Sequence, residues 1–481
     1  MADATEPHDR YESPLTARNA SAEMAQLFSP ARKFSLWRKL WLELARTQHE
    51  LGLDRITPLA ITQMEAAVDQ IDWHVVEELE RSLRHDVMAH VHAYEQAAPA
   101  AKGLIHLGAT SQYVVDNADL ILMRDALHLI AGRLAAAIDA LGSFAINWKD
   151  QPALAYTHFQ PAQLTTVGKR AALWAQDLVI DLQAVSQQIA SLRFRGAKGT
   201  TGTQASFLSL FDGDHDRVQR LDSELARRFG FDRTYAVTGQ TYPRKVDAAV
   251  VAALAGIAAS THKFCNDIRL LAGLKQIEEP FEDDQVGSSA MAYKRNPMRC
   301  ERATGLARFV IALSASAFQT AAEQWLERSL DDSSNKRLTI PEAFLATDGL
   351  LLLVIDVARG LVVYPKTIAA AIAAELPFMA TEEILMAGVR AGGDRQILHE
   401  QLRKHSQAAA EQVKVHGKPN DLIARLKDDP AFAKVNLDAT LNAKAFVGRA
   451  PQQTEAFVRD VIDPIRNQFA QAIKQKVELR V

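Results

Sequence analysis

Cysteine is nearly absent from this chain, whose 481 residues carry only Cys265 and Cys300. Two cysteines exclude a disulfide scaffold or a cysteine-rich zinc site and fit a reducing compartment. An excess of one charge is missing too: 55 Lys and Arg against 58 Asp and Glu leave a net charge of -3. The global balance therefore points to neither nucleic acid nor a membrane surface, and any anion site must be a local concentration of Arg and Lys. Uninterrupted apolar runs are also scarce. The most apolar stretch, residues 349–365, is broken by Asp356 and Arg359, which argues against a membrane span. The first thirty residues lack a basic segment followed by an apolar one, so no secretory signal is expected. No internal repeat, heptad array or low-complexity segment is visible.

What is present is helix. With 48% apolar residues the chain can bury the cores of two to four domains. Residues 36–51, 114–148, 163–192, 244–274 and 298–327 are rich in Ala and Leu with a 3.6-residue period and are poor in proline inside, which predicts an all-α protein. Segments of about thirty residues make helices of roughly 45 Å, and helices of that length bury their apolar stripes by bundling, within or between chains. Domain boundaries are expected near residue 110 and near Pro365, dividing the chain into 1–110, 111–364 and 365–481. Gly, Pro, Thr and Ser concentrate in loops at 99–110, 150–162, 194–206, 230–243 and 279–297, the places to look for chemistry.

Four of these regions carry candidate groups. Residues 287–297 read GSSAMAYKRNP, a short loop with two hydroxyls, a glycine and a basic cluster. It is neither a phosphate-binding P-loop nor a GxSxG elbow, but its content suits an anion. Residues 83–92 contain His85, His90 and His92. On a helix His85 and His92 would share a face with His90 about 140° away, so a three-histidine metal site would not converge. Thr110 and Ser111 stand before a long helix, where their hydroxyls and amides could receive a carboxylate or simply cap the helix. His158 lies in a loop that also precedes a helix, and both a catalytic and a buried structural role fit it.

The loop at 287–297 resembles the GSSxMPxKxNP signature of the fumarase and aspartase superfamily, with Ala292 in place of the proline. Further segments extend the resemblance over nearly the whole chain to the adenylosuccinate lyase family, and to its eukaryotic-like long branch. They are Ser13 to Leu15 with Arg18, Arg84 to His90, Thr110–Ser111, Thr157 to Arg170, Lys198 to Ser206 and Leu330 to Arg337. The resemblance implies an all-α, three-domain fold with a central long-helix bundle. It also implies elimination of fumarate from adenylosuccinate and from succinyl-carboxamide imidazole ribotide, with no cofactor and no metal. Other fumarate-releasing lyases, such as argininosuccinate lyase, and a noncatalytic protein on the same scaffold are the alternatives. A phosphate-binding arginine set speaks against the former, and joint retention of the catalytic groups against the latter.

By the same resemblance, Ser288 is the base that removes a proton beside a carboxylate, and Lys294 and Asn296 grip that carboxylate as charge builds. His158 is the general acid toward the leaving nitrogen, a task for which imidazole is the usual group, and Glu301 pairs with it. His85 contacts and positions the substrate. Arg18, Arg328, Ser333 and Arg337 match phosphate contacts, for which the guanidinium fork is suited. Arg84, Asp86, Thr110, Ser111, Gln240 and Arg302 match other substrate contacts, and residues 198–206 line the same pocket. Asn19 replaces the tyrosine that relatives carry beside the arginine. Ala292 removes a fixed φ, a change worth about 0.4–1 kcal/mol in loop order. The partners implied are small nucleotides, without nucleic acid or membrane, in a cytoplasmic homotetramer whose active sites are shared between subunits.

Overall fold

The computed structural model describes residues 11–282, 284–475 and 479. Five long helices, Ser111–Asn147, Val167–Ser191, Lys245–Gly273, Met298–Ala322 and Asp331–Gly360, form the central bundle; each is named below by its first residue. The Ser111 helix lies at its heart, packed on the Val167 and Asp331 helices, with Leu120, Met123, Leu127, Ile130, Leu134 and Leu141 fully buried. Alanines between these leucines bring neighbouring backbones close, and the large residues fill the remaining space. The all-α fold expected from the periodicity is what the chain adopts.

The bundle is preceded by shorter helices whose starts are written in the sequence. Ser29 accepts a hydrogen bond from the Arg32 amide and Pro30 occupies the first turn, so the helix Pro30–Glu50 opens six residues before its apolar period begins. A second, smaller core gathers Ala380, Ile384, Leu398, Leu402, Leu422 and Phe432. Beyond it, the helical segments from Ala450 to Ile473 return to pack on the Ser111 and Val167 helices.

Two expectations need correction. Residues 150–162 are not a plain loop, and 163–166 are not helix. β1 (Pro152–Thr157) and β2 (Gln160–Thr166) form an antiparallel hairpin with a bulge, in which Leu154 faces Leu164 while Tyr156 faces Pro161. Threonines and tyrosine favour the pleated strand. Thr166 both ends β2 and caps the Val167 helix by accepting from the Lys169 amide. The helix expected to run to Glu327 stops at Ala322, and Leu326 in the following turn has φ 48°.

By length and composition, four bundle helices among the described residues are apolar enough to cross a membrane. In the Ser111 and Asp331 helices, including the run from Gly349, most of that apolar surface is covered by neighbouring helices. The Met298 helix leaves most of its apolar window uncovered, with Ile311 and Phe318 exposed.

Candidate active site

The expected site residues fall into three groups, and the fold holds the groups apart. The first is built where the Ser111 and Asp331 helices begin. Both starts lack a side-chain cap among the described residues, so amide N–H groups and the positive ends of two long helices are left for an anion. Thr110 occupies the cap position, but its Oγ1 receives a hydrogen bond from Gln240 Nε2 at 3.4 Å instead of closing the first turn. Gln240 is itself fixed by its backbone N–H donating to the Glu327 carbonyl at 3.0 Å. Ser111 Oγ lies 3.5 Å from His85 Nε2.

His85 is not on a helix face. It is the extended residue that caps Asp86–Ala97, its Nδ1 accepting from the Met88 amide at 3.4 Å. The preceding Arg84 is exposed and left-handed, with φ 53°. This separates the three histidines chemically. His90 is buried and stacked on Phe34 at 4.0 Å, where burial lowers its pKa to about 4. His92 pairs with Glu95 at 3.0 Å. Among the described residues, no group of three or more His, Cys, Asp or Glu is placed to hold a metal.

Asp86 has both oxygens committed within the chain. Oδ1 accepts from the Val87 amide at 2.8 Å and Oδ2 holds Arg337 Nη2 at 2.9 Å. Arg337 keeps half of its side chain exposed, and Ser333 lies four residues earlier on the same face of its helix. Arg328 donates to Asp332 from Nη1 at 2.5 Å, while its Nη2 is buried with no partner among the described residues. An unmet guanidinium N–H beside two uncapped helix starts is suited to a phosphate oxygen.

The second group is His158 alone, at the tip of the β1–β2 hairpin. His158 and Phe159 form its two-residue turn, with φ 53° and 56°. Such a turn normally takes Asn-Gly, because a side chain in the left-handed region costs energy. Tyr156 stacks on Phe159 at 5.6 Å and steadies the tip. The ring of His158 is exposed, with no hydrogen bond or ion pair to it among the described residues.

The third group surrounds the start of the Met298 helix, whose Arg299 and Cys300 amides donate to the buried Glu279 carboxylate at 2.9 Å each. Ser288 Oγ accepts from the backbone N–H groups of Met291 at 3.1 Å and Ala290 at 3.3 Å. Two amides aimed at one hydroxyl oxygen favour its alkoxide. The loop closes on itself: Asn296 Nδ2 donates to the Gly287 carbonyl at 2.7 Å and the Lys294 amide donates to the Met291 carbonyl at 3.0 Å. Glycine is required at 287, since a Cβ there would sit 2.2 Å from the Lys294 carbonyl oxygen. The Asn296 amide group therefore fastens the loop, and Lys294 stays exposed.

Arg302, one turn into that helix, donates from Nε to Asn19 Oδ1 at 2.9 Å and from Nη2 to the Arg18 carbonyl. The substituted Asn19 thus ties the N-terminal segment to the Met298 helix. The pairing expected of Glu301 with His158 is not made within the chain; Glu301 lies 3.7 Å from Arg269.

Asn19 is packed against Gly349 of the Asp331 helix. Gly349 is twelve residues beyond Arg337, or about 18 Å along the helix. The Arg18–Arg302 group is therefore remote from the Arg328–Arg337 group. Another expectation fails locally. Lys198 turns away into a buried pair with Asp222 at 2.5 Å, so its ammonium does not line the site. The sequence reading passed over Asp116, Arg244 and Lys336, which form ion pairs buried behind the first group. Their signal was a charged residue on an otherwise apolar helix face, as Asp116 is between Tyr113 and Leu120.

Residues 44–312 match a family described as Lyase, and residues 377–457 one described as Adenylosuccinate lyase C-terminus. The chain is 52% identical over 481 residues to the adenylosuccinate lyase of Schizosaccharomyces pombe, covering 99% of this chain and 100% of that protein. It is 51% identical over 479 residues to that of Saccharomyces cerevisiae, covering 98% and 99%. Among solved structures, the 3-carboxy-cis,cis-muconate lactonizing enzyme of Pseudomonas putida shares the fold, with a TM-score of 0.79 at 22% identity over 96% of this chain and 100% of that one. With near-complete coverage at half identity, the chain belongs to the adenylosuccinate lyase family.

Proposed function

We propose that this chain eliminates fumarate from adenylosuccinate, leaving AMP, and from succinyl-carboxamide imidazole ribotide, leaving the aminoimidazole carboxamide ribotide. The observation that carries the chemistry is the Ser288 hydroxyl accepting two backbone N–H groups. As an alkoxide, Ser288 removes the proton from the carbon beside a succinyl carboxylate. The electron pair moves into that carboxylate, and Lys294 offsets its second negative charge. The C–N bond then breaks as His158 delivers a proton to the nitrogen, completing fumarate and the amine. Arg18, Arg328, Ser333 and Arg337 receive the phosphate, and Arg84, His85, Asp86, Thr110, Ser111, Gln240, Asn296 and Arg302 shape or fasten the remainder of the site. The assay is loss of adenylosuccinate by ultraviolet absorbance. Turnover is expected to be unchanged after exhaustive chelation; no turnover, or strict need for a divalent ion, overturns the reading.

The three groups meet between chains. The separation of the Arg18–Arg302 and Arg328–Arg337 groups supports this, as do the exposed Leu173, Ile180, Leu270, Ile311 and Phe318 on bundle helices, whose burial needs partner helices. The assembly is a cytoplasmic homotetramer, and the divisions at 110 and 364 coincide with the helix starts at Ser111 and Pro365. Ser288→Ala and His158→Gln tetramers, dissociated and reassembled together in equal amounts, should recover about a quarter of parental activity by unbiased closed-symmetry mixing. No recovery, with subunit exchange verified by mass, means that both residues act within one chain.

A further inference from the structure

Beneath the first group runs a chain of alternating charges of which substrate touches only Arg328 in the reading above. Arg328 is joined to Asp332 at 2.5 Å, Asp332 to Arg244 at 2.5 Å and Arg244 to Asp116 at 2.9 Å. Lys336 joins Asp116 at 3.0 Å and Asp119 at 2.7 Å. The side chains of Asp332, Arg244 and Asp116 have no exposed surface. Three carboxylates meet three cations, so the chain of charges is balanced without ligand. Burying so many ions costs more than apolar packing of the same volume, and is therefore poor evidence of a contribution to stability alone.

The helix geometry gives these ions a direction. Asp332 and Lys336 are four residues apart and point inward; Ser333 and Arg337 are each one residue later, about 100° round the helix, and face the site. Arg328 is held at one nitrogen by Asp332, and its other terminal nitrogen is buried and unmet among the described residues. We infer that Asp332, anchored through Arg244 and Asp116, is a positioning residue that holds Arg328 with one N–H aimed at the substrate phosphate. Phosphate then meets a guanidinium that Asp332 has already oriented and uncovers its Nη2, so less ordering is left to offset the gain. This inference rests on the proposed function and adds the origin of phosphate selectivity.

The test compares adenylosuccinate with the corresponding nucleoside, which lacks the 5′-phosphate. Asp332→Asn should raise KM for adenylosuccinate and weaken inhibition by AMP by about tenfold or more, with kcat changed less than about threefold. On the nucleoside its kcat/KM should match that of the parent. Should Asp332→Asn fold poorly, Asp332→Asn with Arg244→Gln removes one carboxylate and one cation together and should show the same phosphate-specific loss. Equal losses on both substrates, or an unchanged KM, overturn the inference and leave a merely structural ion pair. A parent enzyme that cleaves nucleotide and nucleoside equally well overturns it together with the phosphate role of Arg328, while the lyase reaction stands. A parent enzyme inactive on adenylosuccinate overturns the proposed function itself.

Discussion

The serine loop and the proposed phosphate end are held in opposite ways. At the phosphate end, Arg328 and Arg337 each lean on a carboxylate, and the deeper of these, Asp332, is locked into the core by further ion pairs. The Ser288 loop has no such backing. Its oxygen is steadied by two amides three residues or fewer away, its ends by one side-chain hydrogen bond and its middle by one backbone hydrogen bond. The contrast follows what each part must do. A phosphate carries a fixed charge throughout the reaction and is best met by groups already in place. In the proposed reaction the carboxylate gains its second charge only in the transition state, so donors that meet that charge contribute to rate.

Mutations should separate the two regions. The largest effect is expected from Asp116→Ala, which leaves Arg244 and Lys336 buried with a partner removed. Unfolding free energy should fall by about 3–5 kcal/mol, read from denaturant melts at matched protein concentration; a change under about 1 kcal/mol would make the buried ions dispensable. Next, Ser288→Ala and His158→Gln should each lower kcat at least about 100-fold with melting unchanged, because neither side chain is part of a core. Near-parental turnover in either variant removes that residue from the mechanism.

Histidine sharpens the comparison, since His158 is exposed at a turn tip while His90 is sealed among aromatics. The folded pKa of His90, about 4, lies below the ordinary value near 6.5. The unfolded chain therefore binds the extra proton first as pH falls, and the stability present above about pH 6.5 is lost progressively toward pH 4. Between pH 7.5 and 5, His90→Phe should gain about 2 kcal/mol relative to the parent, measured as the difference between their denaturant midpoints; equal pH dependence would mean that His90 is hydrated. The smallest effect belongs to Arg337→Ala, which should raise KM and weaken AMP inhibition about tenfold with little change in kcat. An unchanged KM would leave Arg337 only as the partner of Asp86.

The sequence by itself determined most of the long helices and the family. The 3.6-residue period located the Ser111, Val167, Lys245 and Met298 helices to within five residues at each end, but it opened the Pro30 helix six residues late and gave no helix over Asp331–Gly360; the loop from Gly287 to Pro297 announced its family in eleven residues. Those signals are local: propensity, capping and a contiguous loop depend on neighbours along the chain. Tertiary structure decided what depends on partners far away in sequence. The hairpin that lifts His158 was missed because its strands are short and their pairing, Leu154 with Leu164, is set by register instead of by composition. Thr110 as an acceptor for Gln240, Asn19 as a tie to Arg302, and Asp332 joined to Arg244 are contacts across about 90 to 280 residues. No periodicity encodes them. The division of the site residues into three separated groups is of the same kind, for a rigid helix of some 45 Å keeps its two ends apart however clearly each end is written.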